Sequence, residues 1–192
     1  MTRTMRTFLA LNLPPATRDA LYERTAAVRA AAPLASWVAR ENLHLTLQFL
    51  GDVDAERIAA VEARVREIAA THRRLMLDIG GAGAFPNLGE PRIVWMGVAP
   101  DPRLELLQHD LERGNESLGF PVEGRAFRPH ITMGRIRVAL LAAECGVLVA
   151  ELRKCTFRER VTVTSVDLME SALGLGGSRY TVLAAASLGE EA

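Results

Sequence analysis

His44-Leu45-Thr46-Leu47 and His130-Ile131-Thr132-Met133 repeat one pattern: histidine, apolar, threonine, apolar. On a β-strand successive side chains alternate between faces, so a histidine and a threonine two positions apart share a face while their apolar neighbours enter the core. Each tetrapeptide therefore offers an imidazole beside a hydroxyl. Two imidazoles can divide acid and base duties near neutral pH, because an unperturbed pKa of about 6.5 lets one be protonated while the other is neutral. The hydroxyls can donate to an oxygen that carries negative charge in the transition state. One copy would be a weak signal, since a lone half-buried histidine is more often structural. Two copies among only four histidines predict two matched catalytic half-sites facing each other across a cleft.

The surrounding pattern predicts elements able to carry them. Residues 43–50 are apolar and β-rich before Gly51, and residues 129–136 open on a proline, which suits a strand start. Residues 5–13, 36–39, 75–79, 93–98, 157–170 and 179–187 read as further strands. Residues 16–31, 54–71 and 139–153, with the Leu104, Leu107, Leu111 and Leu118 series, read as helices. Residues 80–87, rich in glycine, read as a loop, and the glycines at 174–177 as a hairpin turn. His72 and His109 fall on predicted helices as partnerless surface residues. Helices alternating with strands suggest a duplicated α/β lobe.

Composition narrows the class. The 192 residues, 49% of them hydrophobic, can bury a sizeable core. Lys plus Arg equals Asp plus Glu at 23 each, so overall charge predicts only local and modest attraction to nucleic acid. The apolar stretch 8–13 is too short for a membrane span and reads as a first strand, which suits a cytoplasmic protein. Cys145 and Cys155 lack Cys-x-x-Cys spacing and nearby histidines, so two free thiols are expected. Neither glycine cluster carries a P-loop lysine, which argues against triphosphate binding.

The motifs and their flanks resemble the two-histidine phosphoesterases, and among them the RNA 2′,3′-cyclic phosphodiesterases of bacteria and archaea, also called 2′-5′ RNA ligase-like proteins. The resemblance runs through Arg6-Thr7-Phe8-Leu9-Ala10-Leu11, Trp37-Val38, Glu41-Asn42-Leu43-His44-Leu45-Thr46-Leu47-Gln48-Phe49-Leu50-Gly51 and Val94-Trp95-Met96-Gly97-Val98. It continues in Phe127-Arg128-Pro129-His130-Ile131-Thr132-Met133-Gly134-Arg135, Glu170-Ser171-Ala172-Leu173 and Gly177-Ser178-Arg179-Tyr180. Ser36 stands where members often carry Arg, and Met133 where Leu is usual. The resemblance implies an α+β bilobal fold: two pseudo-symmetric antiparallel-sheet lobes, helices outside, and a central cleft carrying both motifs. It implies one two-lobed domain over residues 1–192, acting on RNA with a 2′,3′-cyclic phosphate terminus and leaving a 2′-phosphate.

Opening a cyclic phosphodiester requires in-line attack of water with departure of a ribose oxygen, hence a base on one side and an acid on the other. The expected roles are His44 as proton donor to the 3′ oxygen and His130 as proton acceptor from water, although the near-symmetry of the motifs leaves the exchange open. Thr46 and Thr132 would hold non-bridging oxygens. No metal or other cofactor is expected, because neither motif contains the carboxylates that hard cations prefer. Arg135 would face away from His130 on a straight strand, but Gly134 could permit a bulge that turns it toward substrate. Arg128 shares the face of His130 only if the strand extends through Pro129. Phe49 and Trp37 could stack on a base, against a simpler reading as core, and Tyr180 could line the cleft. A monomer is expected. The alternatives are the reverse reaction, joining RNA ends through a 2′-5′ linkage, a non-catalytic RNA-binding module, and a two-histidine metal hydrolase.

Overall fold

The structure, a computed structural model, describes residues 4–174 and 177–190. Among these residues nine strands form a single sheet: β1 (Thr4–Asn12), β2 (Ser36–Trp37), β3 (His44–Asp54), β4 (Leu75–Phe85), β5 (Ile93–Val98), β6 (His130–Arg135), β7 (Arg158–Val163), β8 (Ser165–Gly174) and β9 (Gly177–Ser187). The order is β7-β4-β5-β6-β3-β1-β8-β9, with β2 paired beside β6, and the strand pairings are antiparallel. The helices are α1 (Pro15–Arg24), α2 (Ala26–Ala31), α3 (Ala55–Thr71), α4 (Pro102–Glu116) and α5 (Ala142–Lys154). α3 and α4 pack together over β3, with α3 reaching β8 and β9; α5 packs on α2 and β4. Leu9, Leu11, Leu45, Leu47, Met96, Ile131 and Met133 form the buried face beneath them.

The sheet has two four-stranded halves, β6-β5-β4-β7 and β3-β1-β8-β9, each with one motif strand at its inner edge. They join through the pair Leu45 and Ile131. β4 follows the first motif but lies in the second half, whereas β8 follows the second motif and lies in the first. The sheet is curled, because Thr164 alone separates β7, at one edge, from β8, near the other. The Leu188 amide donates to the Thr164 carbonyl at 2.9 Å, fastening that corner.

Four expectations need correction. The helix over 16–31 is two helices, interrupted at the buried Thr25, whose hydroxyl bonds the Leu21 carbonyl four residues back at 2.7 Å. Residues 80–85 are strand: β4 runs on to Phe85 because Gly81, at φ +79°, absorbs an irregularity in the pairing with β5. The turn begins only afterwards, where the Asn87 side chain accepts from the Gly89 and Glu90 amides. Residues 157–170 are two strands in opposite halves; the buried alternation of Val161 and Val163 skips phase before Val166 and Leu168. His72 caps α3, is 8% exposed and bonds the Asp110 carboxylate at 3.0 Å, so it is not a partnerless surface residue. Within the 174–177 turn, residues 175 and 176 lie outside the described residues, although Gly174 and Gly177 pair as a hairpin requires.

Trp37 supports the second motif strand. Its indole N–H donates to the Ala32 carbonyl at 2.9 Å, and its ring covers Gly134, where an added Cβ would lie 2.4 Å from the ring. Gly134→Ala is expected to destabilise the fold by about 1–3 kcal/mol through overpacking. Urea denaturation against wild type measures the difference, and an unchanged midpoint would show that the indole yields freely.

Candidate active site

Leu45 and Ile131 are both fully buried at the junction of β3 and β6. Alternation then sends His44, Thr46, His130 and Thr132 to the face away from the helices, where all four are partly exposed. Continuing the register sets His44 opposite Thr132 and Thr46 opposite His130. The histidines form a diagonal pair, with backbones on the order of 7–8 Å apart.

Both imidazoles are oriented alike. Nδ1–H of His44 donates to the Asn42 carbonyl at 2.7 Å, and Nδ1–H of His130 donates to the Arg128 carbonyl at 2.7 Å. A carbonyl can only accept, so each ring is protonated on Nδ1 and keeps Nε2 for chemistry. Nε2 of His44 lies 3.1 Å from the Thr46 hydroxyl, which donates to it when the ring is neutral. Nε2 of His130 has no protein partner among the described residues.

Aromatic rings enclose both. His44 lies against Phe8 at 4.9 Å and edge-on to Tyr180 at 5.3 Å between ring centroids. His130 meets Phe85 edge-on at 5.1 Å, and Phe85 in turn meets Trp95 at 5.1 Å. Burial among these rings lowers both imidazole pKa values below 6.5, against a smaller upward pull from the carbonyl bonds. The charge of His130 lowers His44 further, and the charge of Arg135 lowers His130.

Two bulges complete the face. The pairing of β1 with β3 steps over Leu47, and that of β5 with β6 steps over Met133, each the last residue of its motif. An extra residue restores the outward face to the odd position beyond it. Phe49 and Arg135, each five residues after its histidine, thus join the histidine face rather than the core face. Phe49 is 54% exposed, which corrects its reading as a core residue. β6 begins at His130, so the strand does not extend to Arg128; that residue reaches the site through its carbonyl, and its side chain is exposed. Trp37, held by Ala32 and Gly134, is not free to stack on a base.

Sequence reasoning missed Phe8, Asn12, Phe85 and Asp167. Asn12 pairs opposite His44 and donates to the buried Asp167 carboxylate at 2.7 Å, which also accepts from Ser165 at 2.8 Å. The signal was the alternation Phe8, Ala10, Asn12 along β1. Among the described residues no three His, Cys, Asp or Glu side chains cluster as a metal site would require, and both cysteines are free.

The pattern of the family described as LigT like Phosphoesterase matches twice, over residues 11–95 and 97–180, so that each match holds one motif. A Methanothermobacter thermautotrophicus protein named RNA 2′,3′-cyclic phosphodiesterase is 32% identical over 92% of this chain and 95% of its own. An Aeropyrum pernix protein of the same name is 35% identical over 74% of this chain and 80% of its own. The crystal structure of Escherichia coli LigT with 3′-AMP superposes with a TM-score of 0.76 at 29% identity, covering 97% of this chain and 99% of that one. The chain belongs to the LigT-like phosphoesterase family.

The electrostatics predict that both site imidazoles titrate below 6.5 in an NMR pH titration. Arg135→Ala should raise the His130 midpoint, because removing a neighbouring cation makes protonation easier, and His130→Ala should raise that of His44. Unmoved midpoints would show that these charges do not reach the rings.

Proposed function

We propose that this chain hydrolyses RNA 2′,3′-cyclic phosphate ends to 2′-phosphomonoesters by acid and base catalysis from the two histidines. The observation that carries the reading is the matched pair of imidazoles on adjoining strands, each fixed by a carbonyl two residues upstream with Nε2 left for substrate. The relatives that share nearly the whole chain bear the name of this activity, which supports the same substrate. The working unit is a single two-lobed domain, a monomer in the cytoplasm, with the cleft between the lobes carrying the site; exchange of β4 and β8 between the halves supports one folding unit. No helix among the described residues is long and apolar enough to cross a membrane.

In the reaction a water oxygen attacks phosphorus while Nε2 of His130 takes its proton. The P–O3′ bond breaks, and Nε2–H of His44 protonates the departing 3′ oxygen, leaving the phosphate on O2′. Thr46 and Thr132 donate to the non-bridging oxygens. Arg135, Arg128, Phe49 and Tyr180 contact the RNA, the arginines through charge and the rings through stacking. The two rings disfavour being charged together, and the acid role of His44 places the shared proton on its Nε2 when the phosphate anion is bound. No step needs a metal or other cofactor.

The test is hydrolysis of a short RNA ending in a 2′,3′-cyclic phosphate, with excess EDTA and identification of the product isomer. Wild type should yield the 2′-phosphate. His44→Ala and His130→Ala should each lose about 10²–10⁴-fold in kcat, and Thr46→Val or Thr132→Val about 10²–10³-fold. A 3′ sulfur leaving group needs no acid, so it should rescue His44→Ala and leave His130→Ala impaired; the opposite rescue would exchange the roles. Activity abolished by EDTA, or kept in either histidine variant, would overturn the mechanism.

The pH profile follows from the lowered imidazoles. A pair with one proton lies below 6.5 in the free protein, so the kcat/KM optimum should sit on the acid side of 6.5. The kcat optimum should lie at higher pH, because bound phosphate favours the protonated ring. Coincident optima at or above 6.5 would contradict this.

A further inference from the structure

A row of residues crosses the second half of the sheet from the site to its edge. His130 pairs opposite Gly97 on β5. A Cβ on Gly97 would lie 2.9 Å from the Gly80 carbonyl and 3.0 Å from that of Gly81 on β4, so those two glycines stand beside it. Gly80 pairs opposite Arg158 on β7. The row therefore runs His130, Gly97, Gly80, Arg158, with glycine at both inner positions and the Trp95 ring bordering Gly97, 3.5 Å from where its Cβ would stand. Three strand spacings of about 4.8 Å put the Arg158 backbone about 14 Å from that of His130.

Parity keeps Arg158 on the histidine face. Ile79 and Leu77 are buried toward the helices together with Val161, so Asp78 and Gly80, with their partners Arg160 and Arg158, point the other way. The Arg158 stem leans over β4, its Cγ lying 3.1 Å from where a Gly80 Cβ would stand. At this edge a groove of about 650 Å³ is lined by Asp78, Gly80, Val98, Pro100, Arg158 and Arg160.

The lining carries two guanidinia, of Arg158 and Arg160, and two carboxylates, of Asp78 and Glu159. Arg160 is engaged with Asp78 through two bonds, at 2.6 and 3.1 Å. The Glu159 carboxylate accepts from the Thr17 hydroxyl at 2.6 Å, on the helix side of the sheet. Arg158 is exposed and has no hydrogen-bond or ion-pair partner among the described residues. One guanidinium without a partner among the described residues thus stands at the far end of a row of glycines that begins at His130.

We propose that Arg158 and this groove bind a backbone phosphate of RNA upstream of the cyclic end, which makes the enzyme select oligonucleotides over mononucleotides. The inference rests on the phosphodiesterase reading and deepens it. A cyclic mononucleotide has no second phosphate to reach Arg158, whereas an oligonucleotide held at His130 does. The guanidinium fork suits a phosphate.

The experiment compares wild type, Arg158→Ala and Arg158→Lys on 2′,3′-cyclic AMP and on a tetranucleotide RNA ending in a 2′,3′-cyclic phosphate, across a salt series. Binding of the tetranucleotide by fluorescence anisotropy is read in parallel. For Arg158→Ala, KM for the tetranucleotide should rise about 5-fold, the scale of one exposed charge contact, with kcat unchanged. The salt slope of its binding should become shallower by about 0.7, as for one lost phosphate on a single strand. Arg158→Lys should restore the slope, and cyclic AMP turnover should be the same in all three proteins, which also reports an intact fold. Equal tetranucleotide KM and equal salt slopes in wild type and Arg158→Ala would overturn the proposal. If wild type turned over neither substrate, the activity reading would fail, and the anisotropy slopes would still decide for or against the phosphate contact.

Discussion

The site depends on one contact, the buried pair Leu45 and Ile131 where the two halves of the sheet meet. Apolar side chains placed there on the helix side force the neighbouring histidines and threonines to the other side, because strand geometry offers no third direction. A shift of either strand by one residue would bury that strand's histidine and threonine and expose its leucine or isoleucine, an outcome the core opposes. Alignment of the proposed catalytic groups is thus a by-product of hydrophobic register. The two matches of the family pattern describe the same fact along the chain, each supplying one strand of the junction.

Setting imidazoles among aromatic rings has an electrostatic consequence. Phe8, Tyr180 and Phe85 exclude water that would solvate a cation, which pulls both rings toward the neutral form. The carbonyls of Asn42 and Arg128 oppose that pull and fix the tautomer. The net effect lowers both imidazole pKa values, each ring keeping Nε2 outward, and mutual repulsion disfavours charging both together. An anionic ligand between them would relieve that repulsion and favour a protonated ring.

Much of this was legible in the sequence. The repeated motif and its strand setting follow from alternation, which depends on neighbours along the chain, and the antiparallel α+β architecture was implied by the family resemblance. What escaped depended on a distant partner. Residues 80–85, with glycine at 80, 81 and 83, look like loop, yet they are strand, with the Trp95 indole over Gly83 and the Phe157 backbone against Gly80. Thr164 gives no hint that one residue carries the chain from one edge of the sheet toward the other. His72 seemed idle because its partner, Asp110, is on another helix.

The bulges show why strand parity alone misplaces functional residues. Read as straight strands, β3 and β6 send Phe49 and Arg135 to the core face. Leu47 and Met133 each insert one residue against their neighbours and reverse that outcome at the same place in both motifs. An aromatic ring then joins the face of one histidine and a guanidinium the face of the other. The two halves share the geometry that aims the fifth residue and differ in what they aim. A nearly symmetric frame therefore presents unequal sides to a ligand that is itself unequal, with a stackable base at one point and a charged backbone at others. That inequality also makes a fixed division of acid and base between two similar histidines physically reasonable, because the surroundings, rather than the imidazoles, distinguish them.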